Sequence, residues 1–197
     1  MKTRFYVFMA IMVALPAMTV NVATAQMTRI KRAPEKVLAA LKPGLTVKIS
    51  GTIQKDFSAL CLDIKTLPAD LFKEDDWEIT APARKIDSEK REFALMLVPI
   101  KLQPTTKFKD KSGVFKSFDD LKTDMLVEAG GTYLKDGTFL ATKIENVSSE
   151  TILKPEKQNE VQVKGKIEKI DAVRRTVHVA GVTFSIVNET EFKTALK

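Results

Sequence analysis

Lys164, Lys166, Arg174, Arg175 and His178 are the residues of this chain whose types and spacing come closest to a binding chemistry. Lys164 and Lys166 alternate with Val163, Gly165 and Ile167, so on an extended segment the two ammonium groups share one face. Arg174 and Arg175 fall at the next turn, and His178 lies on the outer face of the strand after it. Such a face would hold an anionic polysaccharide or a lipid head group. Ordinary solubilising charge, with Glu168 beside it, gives the same pattern.

Catalytic constellations are scarce. His178 is the single histidine and Cys61 the single cysteine, which leaves no Cys/His zinc set and no Cys–His nucleophile pair. A Ser-His-Asp arrangement would have to use His178, and no G-x-S-x-G segment supports one. Asp87 and Asp171 each follow an isoleucine and precede polar residues. That is a turn position, where a carboxylate accepts from nearby backbone N–H groups. The acidic run KEDDWE at 73–78 lacks the alternating spacing of a calcium loop and reads as a solvated linker. No catalytic, cofactor-binding or metal-binding residue is expected, and no cofactor.

The elements that must position these residues repeat. LTVKISGTIQKDFSALCLDI at 45–64 aligns with MLVEAGGTYLKDGTFLATKI at 125–144, at a constant offset of 80. Leu45, Val47, Ile49 and Ile53 alternate with Thr46, Lys48, Ser50 and Thr52, which predicts a half-buried strand. Gly51 and Gly131 sit where an inward side chain is due, a mark of a bulge or sharp bend. The KD and KDG segments are turns, and second strands follow at 58–65 and 138–146. A second block, 77–108, aligns without a gap on 161–192 at an offset of 84. Three strands are expected there, at 161–170, 175–180 and 182–188, with equivalents 84 residues earlier. Between the blocks, Ser117 is placed to cap a helical turn from Phe118 to Leu121, and 34–42 reads as a short helix with Pro34 in its first turn.

Three strands, a short helix and two strands is the order of a five-stranded barrel of the oligonucleotide/oligosaccharide-binding (OB) type. The expected fold is therefore all-β with minor α: two small five-stranded OB-like barrels built from an internal repeat, behind a cleaved signal peptide. Residues 77–147 make one complete barrel. The hairpin at 45–65 and the strands at 161–192 are each half a barrel and would close a second one together; pairing each hairpin with the three strands that follow it is the alternative. Residues 26–44 form an N-terminal segment with the short helix.

Residues 1–25 read as the leader. Lys2 and Arg4 precede an uncharged run, and ATA at 23–25 fits an A-x-A cleavage site. A retained anchor is the rival reading; cleavage leaves a chain that is not an integral membrane protein. One cysteine excludes an internal disulfide, so the core must hold the fold, and Cys61 reads as a packed thiol. The net charge of +7 over 197 residues is a mild basic bias. Nucleic acid is disfavoured, because base stacking needs several exposed rings and Trp77 is the only tryptophan.

The segments VKGKIEKID, TVHVAGVTFSIVNETEF and FDDLKTDMLVEAGGTYLKDGTFLATKI resemble a bacterial family known only as a domain of unknown function. The resemblance covers most of 77–192, and its motifs are turns and strand alternation, so it implies fold rather than chemistry. Its members are typically exported and built of one or several such repeats. A weaker likeness, at the level of fold, is to periplasmic stress-tolerance proteins. The family has no assigned activity to carry over; with the leader and the absence of a catalytic constellation, the expected function is an exported, periplasmic or extracellular, non-enzymatic binding or scaffold module of the bacterial envelope. The alternatives are a carboxylate-dependent glycan-acting enzyme and a self-assembling envelope protein.

Overall fold

Alternating apolar residues and closely spaced turn signals make a chain that is mostly β. The structure is a computed structural model describing residues 30–31, 33–110, 113–148 and 159–194. The leader read at 1–25 lies outside them. In chain order the strands are β1 (Ile30–Lys31), β2 (Thr46–Ile53), β3 (Ala59–Thr66), β4 (Trp77–Asp87), β5 (Glu92–Leu95), β6 (Val98–Asp110), β7 (Leu126–Tyr133), β8 (Phe139–Asn146), β9 (Glu160–Asp171), β10 (Thr176–Val179), β11 (Val182–Ser185) and β12 (Glu191–Lys193). Helix α1 spans Pro34–Ala40.

β4 to β8 form a five-strand barrel. β4 pairs with β5 and β5 with β6, both antiparallel; β6 runs parallel to β8; β8 pairs with β7 and β7 returns to β4. Closure leaves no strand edge within the ring. Its interior is filled by Ile79, Leu95, Ile100, Val127, Phe139 and Ile144, all fully buried. The remaining strands pair in a second closed circuit. β9 pairs with β10 and β10 with β11; β11 and β12 run parallel to β3; β3 pairs with β2 and β2 with β9. The hairpin β2–β3 thus pairs with β9, β11 and β12 near the end of the chain, not with β4 to β6, which follow it.

One short ladder joins the two circuits. β4 and β9 pair antiparallel through Glu78 with Lys164, Ile79 with Val163 and Thr80 with Gln162. Ile79 and Val163 are fully buried, so the joint is part of the hydrophobic core.

The glycines at the strand bends act through space. Register slips fall between Ser50 and Gly51 and between Gly130 and Gly131. A Cβ at position 51 would stand 2.6 Å from the Leu60 carbonyl oxygen, and one at Gly131 would collide with the Leu140 carbonyl. Only glycine lets the neighbouring strand approach this closely.

The ends of the circuits are covered by short elements. α1 begins on Pro34 and buries Val37 and Leu38, with Leu41 just beyond it. Gly44 N–H donates to the Ile167 carbonyl (2.8 Å), and Ile167 N–H to the Leu45 carbonyl (2.9 Å). On the barrel, a 3-10 turn at Phe118–Asp120 carries a capping box, the Ser117 amide donating to Asp120 Oδ2 (2.9 Å). Asp124 N–H donates to the Ala83 carbonyl (2.9 Å), and Ala83 N–H to the Met125 carbonyl (2.8 Å).

Two details depart from the alternation pattern. Thr46 and Ser50, assigned to the outer face of β2, are also buried. Flanking strands cover them on both sides; Ser50 Oγ donates to Asp63 Oδ2 (2.7 Å), whereas Thr46 Oγ1 has no hydrogen-bond partner. The third strand of the first block is also longer than expected. β6 continues to Asp110 through a register shift between Leu102 and Lys107, while β11 stops at Ser185 and the chain rejoins β3 as β12. A threonine manages the kink in both places: Gln103 N–H donates to Thr106 Oγ1 (2.8 Å), and Val187 N–H to Thr190 Oγ1 (3.0 Å).

Candidate functional site

The basic residues are strung along β9 and β10, and each has a partner. Lys164 Nζ donates to Glu78 Oε1 at 3.1 Å across the β4–β9 joint. Lys166 Nζ stands 5.8 Å from the Phe72 ring centre. At the β9–β10 turn, Arg174 Nε faces Asp171 Oδ2 at 4.0 Å, and Arg175 pairs with Glu35 of α1 at 2.6 Å. His178 Nδ1 and Thr183 Oγ1 lie 3.1 Å apart. Partial burial, with Lys169 adding to it, holds the His178 imidazole below its usual range, so it is neutral at physiological pH. Lys164 and Lys166 lie on the part of β9 that pairs with β2, whereas His178 is opposite Lys169 near the far end.

The recurring aspartates are turn residues in the structure. Asp87 Oδ1 accepts from Lys90 N–H (3.0 Å), and Asp171 Oδ1 from Arg174 N–H (2.9 Å). These backbone bonds hold both carboxyls below the usual aspartate range. Cys61 is buried, and burial pushes its thiol up, out of reach of a reactive thiolate.

The least ordinary surface lies elsewhere, where three turns meet. At the β2–β3 turn, Gln54 N–H donates to the Ser58 carbonyl (2.8 Å) and Phe57 N–H to the Gln54 carbonyl (3.0 Å). Asp56 Oδ1 fastens the tip by accepting from Ser58 Oγ (2.7 Å) and Ser58 N–H (3.0 Å). Phe57 has φ 61° there, a left-handed conformation that opposes its Cβ, and its ring is 40% exposed. Met96, at the β5–β6 turn, has φ 58° and is buried, while the adjacent Leu97 is 58% exposed. These side chains border two depressions, which share Phe57 and Met96 in their walls. One is a recess of about 40 Å³ lined by Ile53, Phe57, Pro82, Arg84, Met96 and Asn159. The other, of about 260 Å³, runs from Asp56, Phe57 and Ser58 past Met96 and Leu97 to Gly181 and Thr183. Arg84 is the cation of the recess; its guanidinium meets Asp124 Oδ1 at 2.9 Å, with both side chains about half exposed.

An aromatic cluster lies nearby, at the joint between β4 and β9. Trp77 packs over Gly165, where a Cβ would collide with the indole. The Phe72 and Tyr133 rings each lie 5.6 Å from that of Trp77. The Tyr133 hydroxyl reaches the β10–β11 turn, where a Cβ on Gly181 would stand 2.8 Å from it. Burial, then Glu168 and Asp136, push the Tyr133 phenol up. Glu168 Oε1 accepts from Gly181 N–H at 3.4 Å.

The sequence reading did not single out Phe57, Met96 or Leu97. The alignment contained the signal: these three stand opposite Gly137, Ala180 and Gly181, so large apolar residues replace turn residues. Among the described residues, no group of His, Cys, Asp and Glu side chains is arranged to hold a metal, and no helix is long and apolar enough to cross a membrane.

No curated protein and no solved structure matches the sequence. A family match does fall on the part of the chain that makes the barrel, beginning in β4 and ending in β8. Residues 79–145 match the family described as Domain of unknown function (DUF5666).

Proposed function

We propose that this chain is a non-enzymatic binding module of the bacterial cell envelope, built from two OB-like barrels that arose by internal duplication. Several atomic details support the duplication. Both pairing circuits have the strand order first-second-third-fifth-fourth, with a parallel step between third and fifth. Left-handed residues recur at the two sequence offsets: Gly44 with Asp124, Phe57 with Gly137, Arg91 with Arg175, and Met96 with Ala180. The bonds joining Gly44 and Leu45 to Ile167 are those joining Asp124 and Met125 to Ala83.

The observation that carries binding is the turn cluster. Phe57 and Met96 hold left-handed backbone at a cost of about 1 kcal/mol each, at sites where the other copy has glycine and alanine. The Phe57 and Leu97 side chains stand exposed at the groove, and the buried Met96 forms its floor. Such strain persists where it serves a contact. The cations on β9 and β10 carry less, because internal acids and rings already engage them. Export rests on the charged, apolar and A-x-A order of residues 1–25.

Thermal-shift screening of the full chain against envelope polysaccharides, lipid vesicles and small organic acids tests the reading. A stabilising compound is expected to lose its shift in a Phe57→Gly, Leu97→Ser variant that itself melts within a few degrees of the parent. A shift that survives these substitutions would move the site elsewhere, and no shift with any class would remove the binding assignment.

A further inference from the structure

We infer that the groove at Phe57, Met96 and Leu97, with the recess at Ile53 beside it, is the seat of a small aromatic acid: a flat apolar ring in the groove of about 260 Å³, its one carboxylate turned toward Arg84 in the recess. The inference rests on the duplication reading, because the two copies treat the same seat in opposite ways. In one copy the strand residue is Tyr133, with Gly137, Ala180 and Gly181 on the adjoining turns. Its ring lies on Trp77 and its hydroxyl end fills the space that the glycines leave. The chain occupies its own seat. In the other copy Ile53 stands where Tyr133 would, and no ring enters; Phe57, Met96 and Leu97 replace the small turn residues. They wall the space without closing it: about 40 Å³ remains behind Ile53, more than a water requires, and it opens beside the groove of about 260 Å³. Ile53, Phe57, Pro82 and Met96 give the recess an apolar side that suits a ring edge, and Arg84 and Asn159 give it a polar one.

Charge chooses among ring-bearing ligands. Glu168, beside the Tyr133 seat, corresponds to Arg84 at the Ile53 seat, so the local sign is reversed. Arg84 is engaged by a single ion pair to Asp124 on the protein surface, the kind of pair that contributes little to stability. A guanidinium has five donors in a planar fork and can accept a second carboxylate without releasing the first. A ring lying in the groove with its acid group toward Arg84 therefore meets complementary surface at both ends. A lipid chain is far longer than the recess and the groove.

The test uses the full chain labelled with ¹³C-methyl methionine, titrated with benzoate, with benzyl alcohol (ring without acid) and with butyrate (acid without ring). Benzoate is expected to shift the Met96 methyl resonance saturably in the millimolar range, with the other methionines unmoved. Benzyl alcohol and butyrate should bind at least about tenfold more weakly. Arg84→Gln should remove the preference for benzoate over benzyl alcohol. Ile53→Tyr, which supplies the ring from the chain as the other copy does, should abolish the shift and raise the melting temperature. An unmoved Met96 signal, or an equal response in Ile53→Tyr, overturns the assignment. If benzoate fails while another compound's thermal shift still depends on Phe57 and Leu97, the aromatic-acid seat falls and the binding-module reading stands; if both dependences are absent, both fall.

Discussion

Thr190 donates its hydroxyl hydrogen to the carbonyl of Cys61 at 2.9 Å, across 129 residues of chain. The same hydroxyl accepts from Val187 N–H, so one buried oxygen joins the kink after β11 to the centre of β3. Thr106 does likewise between Gln103 and the Ala141 carbonyl (2.7 Å). Thr190→Val keeps the shape but strands a buried carbonyl and an amide. It should cost about 1–3 kcal/mol. Thr106, which is less buried, should cost less on the same substitution; urea unfolding of the two variants gives the comparison.

Thr46 presents the opposite case. Its Oγ1 is buried and has no partner. Thr46→Val replaces that hydroxyl by a methyl of the same shape and should be neutral or stabilising by about 1 kcal/mol. A loss of stability in urea would reveal a bond to Oγ1 that forms in solution.

Gly51 and Gly131 answer to sterics rather than to φ. Alanine at either site drives its methyl into a carbonyl of the partner strand. Each substitution should destabilise by about 1–3 kcal/mol, the more so at Gly131. Alanine at Gly44, where nothing lies within reach of an added methyl, should cost only the left-handed backbone.

Acid should loosen the turns first. Asp56, Asp87, Asp136 and Asp171 all have carboxyls held below the usual aspartate range: Asp56 first by the Ser58 hydroxyl, the other three first by backbone N–H groups. A lowered folded-state value means that the folded form prefers the carboxylate. The stabilisation is complete above the unfolded-state value near pH 4 and is lost as pH falls through the folded-state values. Replacing Asp87 and Asp171 together by asparagine keeps an acceptor oxygen and removes the titration. The melting temperature of that variant should fall less steeply below pH 4 than the parent's; identical slopes would overturn the account.

Strands, turns and glycine bends were legible because each has a local cause. Lys85, Ile86 and Asp87 recur as Lys169, Ile170 and Asp171 since the turn needs a carboxylate that reaches three residues ahead. T-x-F recurs because the threonine stitches a kink and the phenylalanine packs into or against the core. The candidate site was not legible in this way. The repeat placed a strand break at 97, but a run such as FALMLV does not say which of its side chains leaves the core; the left-handed backbone at Met96 keeps Met96 buried and turns Leu97 toward solvent. The basic residues looked free because their partners, Glu78 and Glu35, are distant in sequence. Burial of Thr46 was hidden for a related reason: alternation assigns a face but not the number of neighbours that face will meet.

The pairing of β2 with β9 has a temporal consequence. Synthesis delivers the first hairpin before its partner strands, with the whole β4–β8 ring made in between. Until β9 to β12 have emerged, β2 and β3 hold bare edges that any other nascent copy is able to join. Production of this protein should therefore be limited by encounters between unfinished chains, and a gene rearranged so that the hairpin is encoded after β12 would shorten that vulnerable interval.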